Sequence, residues 1–138
     1  TRLSAKIIED QVSRYERGEG EALQGLRQLK EMTIEMKNAL LQRKLNEFGE
    51  LLGHAWENKK KLSSKITNPV IEEMYNEAKK AGALGGKITG AGGGGYLLLY
   101  CPFEKKHKVA ERLKNLGGAI TDFAFEFYGL QTWRINGQ

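Results

Sequence analysis

The sequence is poor in cysteine and proline and has no long apolar run. A lone cysteine, Cys101, excludes an internal disulfide framework and every zinc site that needs several cysteines. The longest apolar run covers residues 96–101, whereas a membrane-spanning helix needs about 20 apolar residues. The N-terminus also lacks the basic and apolar pattern of a secretory signal. We therefore expect a cytoplasmic protein that has no membrane partner.

Histidine is also scarce, and the charge is mixed rather than of one sign. His54 and His107 have no Cys or His at ligand spacing, so no metal site is predicted. The net charge is +5, but 22 Lys and Arg are interspersed with 17 Asp and Glu. The densest basic stretches, residues 59–65 and 105–108, are typical of solvated helix faces. A nucleic-acid or interaction module of basic charge remains the alternative from another functional class.

Apolar residues at helical spacing predict four helices within residues 1–82. Asn68 and Pro69 are a favourable start for the fourth helix, and Gly82 is a favourable end. The positions expected to face the core are Leu3, Ile7, Val12 and Tyr15 in the first helix; Ala22, Leu26, Leu29, Thr33, Met36 and Leu40 in the second; Leu45, Phe48, Leu52 and Ala55 in the third; and Ile71, Met74, Ala78 and Ala81 in the fourth.

The pattern changes after residue 82, where short strands are predicted. Residues 84–89 and 96–101 predict two strands around a glycine loop, and the second is apolar on both faces, which indicates a central, buried strand. An amphipathic helix is expected over 103–116. Phe123, Phe125 and Phe127 alternate with polar residues, which predicts a half-buried strand with the rings in the core, and residues 130–135 predict a last strand. Trp56 and Trp133 are expected to be packing residues, and Cys101 a buried thiol.

The whole chain, 1–138, is thus predicted to be one α+β domain. Residues 1–82 are expected to be helical, and residues 83–138 to form an antiparallel sheet that carries the helices on one face.

The unusual chemistry lies in the glycine-rich segment of residues 87–95, which ends in four consecutive glycines. Each glycine costs about 0.5–1 kcal/mol relative to alanine in a regular element. Such a run indicates positive φ angles or close approach of a ligand, and successive amides in such a bend form a nest for an anion. The predicted phosphate-contacting residues are Gly90, Ala91, Gly92, Gly93 and Gly94. Lys87 and Thr89, on one side of the preceding strand, would add a charge and a hydroxyl.

The well-known phosphate loops do not fit this segment. Gly90 and Gly95 have the spacing of an ATPase P-loop, but Tyr96 stands where its lysine is required. Gly90, Gly92 and Gly95 match the dinucleotide pattern, yet they precede a predicted strand instead of a helix. A glycine-rich hairpin turn without a ligand stays open as an alternative.

The segment KITGAGGGG at residues 87–95, followed by a short apolar strand, resembles the third conserved motif of the GHMP small-molecule kinases. Residues 85–87, 97–101 and 129–134 look most like the bacterial heptose-phosphate kinases of that superfamily, with the L-fucose kinases next. Residues 1–5 resemble the loop that precedes the family's helical segment. The resemblance covers essentially the whole chain, but it is a resemblance to the C-terminal domain of such an enzyme alone.

This resemblance implies a ferredoxin-like sheet of four strands, one of which would precede Thr1 and be missing here. It implies that Gly90–Gly94 line the active-site cleft, and that Arg2, in the opening loop, is a candidate contact for a substrate phosphate. The catalytic base and the main ATP loop would belong to an N-terminal nucleotide domain outside this chain. No catalytic residue is therefore assigned here, and that missing domain is the expected partner.

The implied function is transfer of the γ-phosphoryl group of Mg²⁺-bound ATP to a sugar phosphate in carbohydrate metabolism. The expected acceptor is C1 of D-glycero-D-manno-heptose 7-phosphate, with an L-fucose kinase or another GHMP kinase domain as the alternative. The chain alone is expected to be inactive, and its oligomeric state is left open. We also expect Gly93→Val to abolish turnover of the full-length enzyme while its fold stays intact.

Overall fold

Five α-helices and a two-stranded antiparallel sheet form the part of the chain that the computed structural model describes, residues 2–134. The helices are α1 (Arg2–Glu16), α2 (Gly20–Leu41), α3 (Leu45–Lys60), α4 (Pro69–Ala81) and α5 (Lys106–Asn115), and a short 3₁₀ turn (Phe103–Lys105) precedes α5. The strands are β1 (Gly85–Ile88) and β2 (Leu97–Tyr100), paired with Gly85 opposite Tyr100 and Ile88 opposite Leu97. The α+β class and all five predicted helices are confirmed.

The fourth helix begins and ends as its sequence predicts. The side-chain oxygen of Asn68 accepts the backbone N–H of Ile71 at 3.0 Å, and Pro69 occupies the first helical position. Gly82 ends the helix with a left-handed φ of 116°. An amide left free at a helix N-terminus needs such an acceptor, and a glycine tolerates positive φ without steric cost.

The second helix turns a slightly different face to the core than its periodicity predicts. Leu26, Thr33 and Leu40 are exposed, whereas the buried positions are Ala22, Gly25, Met32 and Ala39. Small residues decide this rotation because they let α2 and α3 approach closely. A methyl group added at Gly25 would lie only 2.9 Å from the carbonyl oxygen of Asn58 in α3.

Three glycines bring α3 and β1 into backbone contact. A methyl group at Gly85 would lie 2.1 Å from the carbonyl oxygen of Gly49 and 2.5 Å from the nitrogen of Gly53. Such distances are far below van der Waals contact, so no residue with a side chain fits there without displacing an element. This contact fixes β1, and the loop that follows it, against the middle of α3.

Two clusters of buried side chains hold the fold together. The larger cluster lies below the glycine loop and comprises Ile7, Trp56, Leu62, Ile66, Ile71, Tyr75 and Ile88. The smaller one joins α4 to α5 through Ala78, Ala83, Val109 and Leu113. Burying one large apolar side chain contributes about 1.5–3 kcal/mol. Trp56, fully buried at 0% exposure, is the packing residue that its sequence position predicts.

The predicted strands after α5 are not formed within the described residues, so that part of the expectation is wrong. Residues 119–134 are exposed throughout. Phe123, Phe125 and Phe127 are 65%, 77% and 88% exposed, and Trp133 is 79% exposed. A half-buried strand needs a neighbouring strand and a face to cover, and up to residue 134 the structure provides neither. The predicted last strand also reaches residue 135, which lies outside the described residues.

The second strand is not central either. In the described part of the chain β2 pairs with β1 alone, and all four of its residues are partly exposed. The structure therefore contains two of the strands that the ferredoxin-like expectation requires.

Candidate phosphate-binding site

The glycine loop is the connection between β1 and β2. The N–H of Thr89 donates to the carbonyl oxygen of Tyr96 at 2.9 Å, and the Thr89 hydroxyl donates to the same oxygen at 3.3 Å. Within this closed hairpin five glycines adopt positive φ angles, which L side chains adopt only with strain. They are Gly90 (78°), Gly92 (119°), Gly93 (76°), Gly94 (158°) and Gly95 (100°).

The loop has a packed side and an open side. A methyl group at Gly92 would lie 2.8 Å from the carbonyl oxygen of Ile66, and one at Gly93 would lie 3.0 Å from Cδ1 of Ile7. Around Gly90, Gly94 and Gly95 an added methyl would meet no atom within 4 Å. The structure disfavours the expectation that Gly93→Val spares the fold, because a β-branched residue is strained at a φ of 76° and its side chain would press on Ile7.

Two hydrogen bonds fasten the packed side to the segment between α3 and α4. The N–H of Gly93 donates to the carbonyl oxygen of Ile66 at 2.7 Å. The side-chain amide of Asn68 donates to the carbonyl oxygen of Gly93 at 3.3 Å. Asn68 thus caps α4 with its oxygen and holds the loop with its nitrogen.

The connecting segment is itself tied to α1. The buried hydroxyl of Ser63 donates to the carboxylate of Asp10, and accepts the N–H of Lys65 at 3.1 Å. The hydrogen bond from Ser63, with the nearby charge of Lys65, lowers the pKa of Asp10. The loop therefore rests on a support built from two elements distant in sequence.

Most of the loop amides are free of internal acceptors. Among the residues described, the N–H groups of Gly90, Ala91, Gly92, Gly94 and Gly95 donate no hydrogen bond, whereas that of Gly93 is used by Ile66. Gly90, Gly94 and Gly95 are exposed. Of the five predicted contact residues, Gly90–Gly94, four thus retain a donor, and Gly95 adds a fifth. Free amides at a glycine bend can receive an anionic oxygen.

Lys87 and Thr89 lie where the sequence predicts, at the entrance to the loop. Lys87 is partly buried on β1, opposite Leu98, and Thr89 is the exposed residue that closes the hairpin. Arg2 is placed differently, because α1 already begins at Arg2 and no opening loop precedes Leu3 in the described chain. The side chain of Arg2 lies outside the described part of the structure. The same end of α1 contacts the loop, since a methyl at Gly93 would meet Leu3 at 3.1 Å.

A second cation reaches the loop from α3, and the sequence pattern did not predict this contact. The ammonium of Lys59 donates to the carbonyl oxygen of Gly90. Burial, and next the like charge of Lys87, lower the pKa of Lys59. The expectation that residues 59–65 form a solvated helix face is wrong here. The available signal was helical spacing, because Lys59 follows the buried Trp56 by three positions and so shares its side of α3.

The two following lysines point elsewhere. Lys60 forms ion pairs with Glu57 at 3.0 Å and Glu72 at 3.2 Å. Lys61 donates to the side chains of Gln28 at 3.2 Å and Asn58 at 2.9 Å. The three consecutive lysines therefore make three different sets of contacts, and Lys59 is the one of the three that contacts the glycine loop.

A cavity of about 490 Å³ borders the other end of the loop. Gly94 and Gly95 form one side of it, and the remaining walls are mostly apolar: Pro69, Val70, Ile71, Met74, Ile88 and Leu97. An anion gains little from such walls, so the polar chemistry of the site is concentrated at the free amides and the two lysines.

The rest of the described chain presents less reactive groups. Residues 2–134 contain no group of three or more His, Cys, Asp or Glu side chains arranged to hold a metal ion. Cys101 is partly buried, and burial raises the pKa of its thiol. No described helix is both long enough and apolar enough to cross a membrane.

Residues 36–119 match the family described as GHMP kinases C terminal. The chain is 32% identical over 131 residues, 95% of its length, to D-glycero-alpha-D-manno-heptose 7-phosphate kinase of Campylobacter jejuni. It is 34% identical over 116 residues, 84% of its length, to L-fucokinase/L-fucose-1-P guanylyltransferase of Bacteroides fragilis. A shorter stretch of 53 residues, 38% of the chain, is 42% identical to mevalonate kinase of Thermococcus sibiricus.

These relatives are considerably longer than the chain, which spans 38%, 12% and 16% of their respective lengths. The matched family region contains α3, α4, the hairpin with its glycine loop, and α5. On this match over more than half of its residues, the chain belongs to the family of GHMP kinase C-terminal domains.

Proposed function

We propose that this chain contributes the glycine-loop side of a phosphoryl-transfer site in an ATP-dependent sugar kinase. The observation that carries the proposal is the loop itself, with five free amides beside Lys59 and Lys87. Phosphoryl transfer depends mainly on positioning and on stabilising negative charge, and fixed amides and ammonium groups do both. Membership of the GHMP kinase family supports the assignment to a kinase.

The proposed acceptor is the C1 hydroxyl of D-glycero-D-manno-heptose 7-phosphate. The match to the Campylobacter jejuni enzyme, over 95% of the chain, supports a heptose phosphate. L-fucose is the second candidate acceptor, since the Bacteroides fragilis relative is matched over 84% of the chain. A mevalonate kinase is less favoured because that match is confined to a short stretch.

In this proposal the chain's residues bind and orient phosphate oxygens. The free amides of Gly90, Gly92 and Gly94 would donate to oxygens of the group being transferred, and Lys87 with the hydroxyl of Thr89 would flank them. Mg²⁺-bound ATP would supply the phosphoryl group. Loss of one well-placed donor at such a site lowers kcat by about 10²–10³.

We also propose that the catalytic base and the main nucleotide loop lie in the rest of the longer protein. The chain alone should then have no kinase activity. No basic nucleic-acid surface is assigned, because the aromatic residue on the two described strands, Tyr100, packs against Phe48 with ring centroids 6.4 Å apart. The exposed phenylalanines are flanked by Asp122 and Glu126, which repel a phosphate backbone.

The proposal is tested with the longer protein that contains this chain. The purified protein is incubated with Mg²⁺-bound ATP and heptose 7-phosphate, L-fucose or mevalonate, and ADP release is measured. We expect turnover with the heptose phosphate to exceed that with the other two acceptors. Faster turnover with L-fucose would show that L-fucose, not the heptose phosphate, is the acceptor. Absence of turnover with every acceptor would refute the assignment to a sugar kinase.

A further inference from the structure

The proposed function counts Lys59 among the cations beside the glycine loop, but it gives the residue no partner and no ligand of its own. Lys59 stands in the last turn of α3, and its ammonium extends to a carbonyl 31 positions further along the chain. We propose that Lys59 is a phosphate-binding residue that acts together with Lys87 on one phosphate group at the mouth of the glycine loop. This inference depends on the proposed function for the identification of phosphate as the ligand.

The geometry fixes the ammonium at the place where a ligand would enter. The bond to Gly90 holds Lys59 at the first glycine of the loop, where an added methyl would meet no atom within 4 Å. An ammonium has three N–H donors, and the bond to Gly90 uses one of them. The other two ammonium donors can therefore bind phosphate oxygens, and the N–H of Gly90 also has no acceptor among the described residues.

The positive charges of Lys59 and Lys87 at the mouth of the loop are not balanced by nearby negative charges in the described part of the chain. Among the described residues, neither Lys59 nor Lys87 has a carboxylate within ion-pair distance, whereas Lys60, Lys65 and Lys80 each have one. Lys59 is partly buried and feels the like charge of Lys87, and both effects lower its pKa. Burying a cation without a counter-ion is unfavourable. A phosphate, with close to two negative charges, would remove this cost for both lysines.

Two sources of phosphate share this chemistry, the nucleotide and the phosphorylated sugar. The two-cation site requires phosphate oxygens and does not depend on which molecule carries them. Steady-state kinetics separates the sources. A loss confined to KM for ATP assigns Lys59 to the nucleotide, and a loss confined to KM for the sugar phosphate assigns it to the acceptor.

The test uses the longer protein with Lys59→Met, Lys59→Arg and Lys87→Met. Lys61→Met is the matched control, because it removes the same charge from the same end of α3, where Lys61 faces Gln28 and Asn58 instead of the loop. Binding of tripolyphosphate is measured by calorimetry, and thermal melting shows that each variant is folded. Lys87→Met provides an independent test of the pair if Lys59→Met does not fold.

We expect Lys59→Met and Lys87→Met each to raise the Kd for tripolyphosphate about tenfold or more, since a hydrogen bond to a charged group is lost. Lys59→Arg should restore binding to within about threefold, because it keeps the charge. Lys61→Met should bind like the unmodified protein.

Unchanged Kd and KM values in folded Lys59→Met protein would overturn the inference, as would an equal loss of binding in Lys61→Met. Failure of the proposed function is a distinct result. In that case no sugar is phosphorylated, yet tripolyphosphate binding still depends on Lys59, and the two-cation site stands.

Discussion

Gly92 is the loop residue at which an added methyl group meets the least yielding obstacle. Its φ is 119°, and the methyl would lie 2.8 Å from a backbone carbonyl and 2.9 Å from the Cα of the same residue, Ile66. Gly90 has a positive φ of 78° but open space around it. Alanine at Gly90 would suffer backbone strain alone, whereas alanine at Gly92 would suffer backbone strain and a steric collision. Comparing the two substitutions therefore isolates the cost of the collision.

We predict that Gly92→Ala lowers the free energy of unfolding by about 3 kcal/mol, the size expected when a residue collides in a packed site. Gly90→Ala should lower it by about 1–2 kcal/mol, the cost of a left-handed alanine. Urea denaturation of the two variants measures both values. Equal losses at the two positions would show that Gly92 does not pack against the segment between α3 and α4.

Glu77 links two helices through its charge. Its carboxylate accepts hydrogen bonds from Lys80 at 2.7 Å and from Nε of Arg112 in α5 at 2.7 Å, and these bonds lower the pKa of Glu77 below its usual 4.5. A carboxylate whose pKa is lower in the folded state stabilises the protein above the unfolded-state pKa. That contribution disappears as the pH falls through the folded-state value.

Glu77→Gln should therefore lower the melting temperature at pH 7, and the difference from the unmodified chain should shrink steadily below about pH 4.5. Glu73→Gln, at an exposed position of the same helix, is the control for loss of one charge. A melting-temperature difference for Glu77→Gln that stays constant down to pH 2.5 would contradict the ionic link.

Individual residues were predictable where local chemistry alone decides their role. The cap at Asn68, the left-handed Gly82 and the glycine loop follow from rules that involve only neighbouring residues. Lys59 was not predictable in this way. Its contact with Gly90 joins residues far apart in sequence, and one chain does not reveal such a pairing until its elements are packed.

At the scale of elements, the start of α4 and the glycine loop share one side chain. Asn68 supplies an oxygen to the cap and an amide to Gly93. Serine keeps a capping oxygen but has no side-chain amide, so the substitution divides the two roles. Alanine removes both.

We predict that Asn68→Ala costs about 1 kcal/mol for the cap and about 1 kcal/mol more for the bond to the loop. Asn68→Ser should cost only the second amount. Chemical denaturation at neutral pH measures the difference. If serine is as destabilising as alanine, Asn68 does not act as a helix cap, and if serine costs nothing, the bond to Gly93 contributes no stability.

The contact between α3 and β1 is the element-scale feature that positions the loop. We predict that Gly85→Ala lowers the free energy of unfolding by roughly 3 kcal/mol or more, because its methyl would lie 2.1 Å from the carbonyl oxygen of Gly49 and the two backbones would have to separate. Gly20→Ala, with nothing within 4 Å, should change stability by less than about 0.5 kcal/mol. Urea denaturation compares them, and a tolerated Gly85→Ala would rule out the close packing.

The helical periodicity of apolar residues predicted the positions of the helices in the sequence well. It was less successful in predicting which face of each helix is buried. The second helix is the clearest case, because its buried positions include Gly25, which an apolar pattern does not detect. Backbone contact through glycine has no hydrophobic signature. The close approach of α3 to β1 was missed for the same reason.

At the scale of the whole molecule, residues 119–134 contribute little to the described core. All of them are exposed, and the last hydrogen bond that closes α5 is donated by Gly118 to Leu113 at 2.9 Å. The alternation of Phe123, Phe125 and Phe127 with polar residues predicted a half-buried strand, and that prediction is wrong for the described residues. Alternation alone does not show whether a neighbouring strand is present, so it could not predict that the three rings are exposed.

We predict that a chain ending after Gly118 melts within about 2 °C of the unmodified chain, since few buried contacts are removed. The unmodified chain should bind the dye ANS, which reports exposed apolar surface, and the shortened chain should bind less. A large drop in melting temperature on truncation would show that the aromatic segment is packed in solution.

The most direct test of the phosphate site is an NMR titration of its amides. The longer protein is labelled with ¹⁵N only within this chain, and tripolyphosphate is added while the loop resonances are followed. The free N–H groups of Gly90, Ala91, Gly92, Gly94 and Gly95 should shift, and Gly93, already bonded to Ile66, should move least. Unchanged resonances throughout the loop at saturating tripolyphosphate would contradict the site.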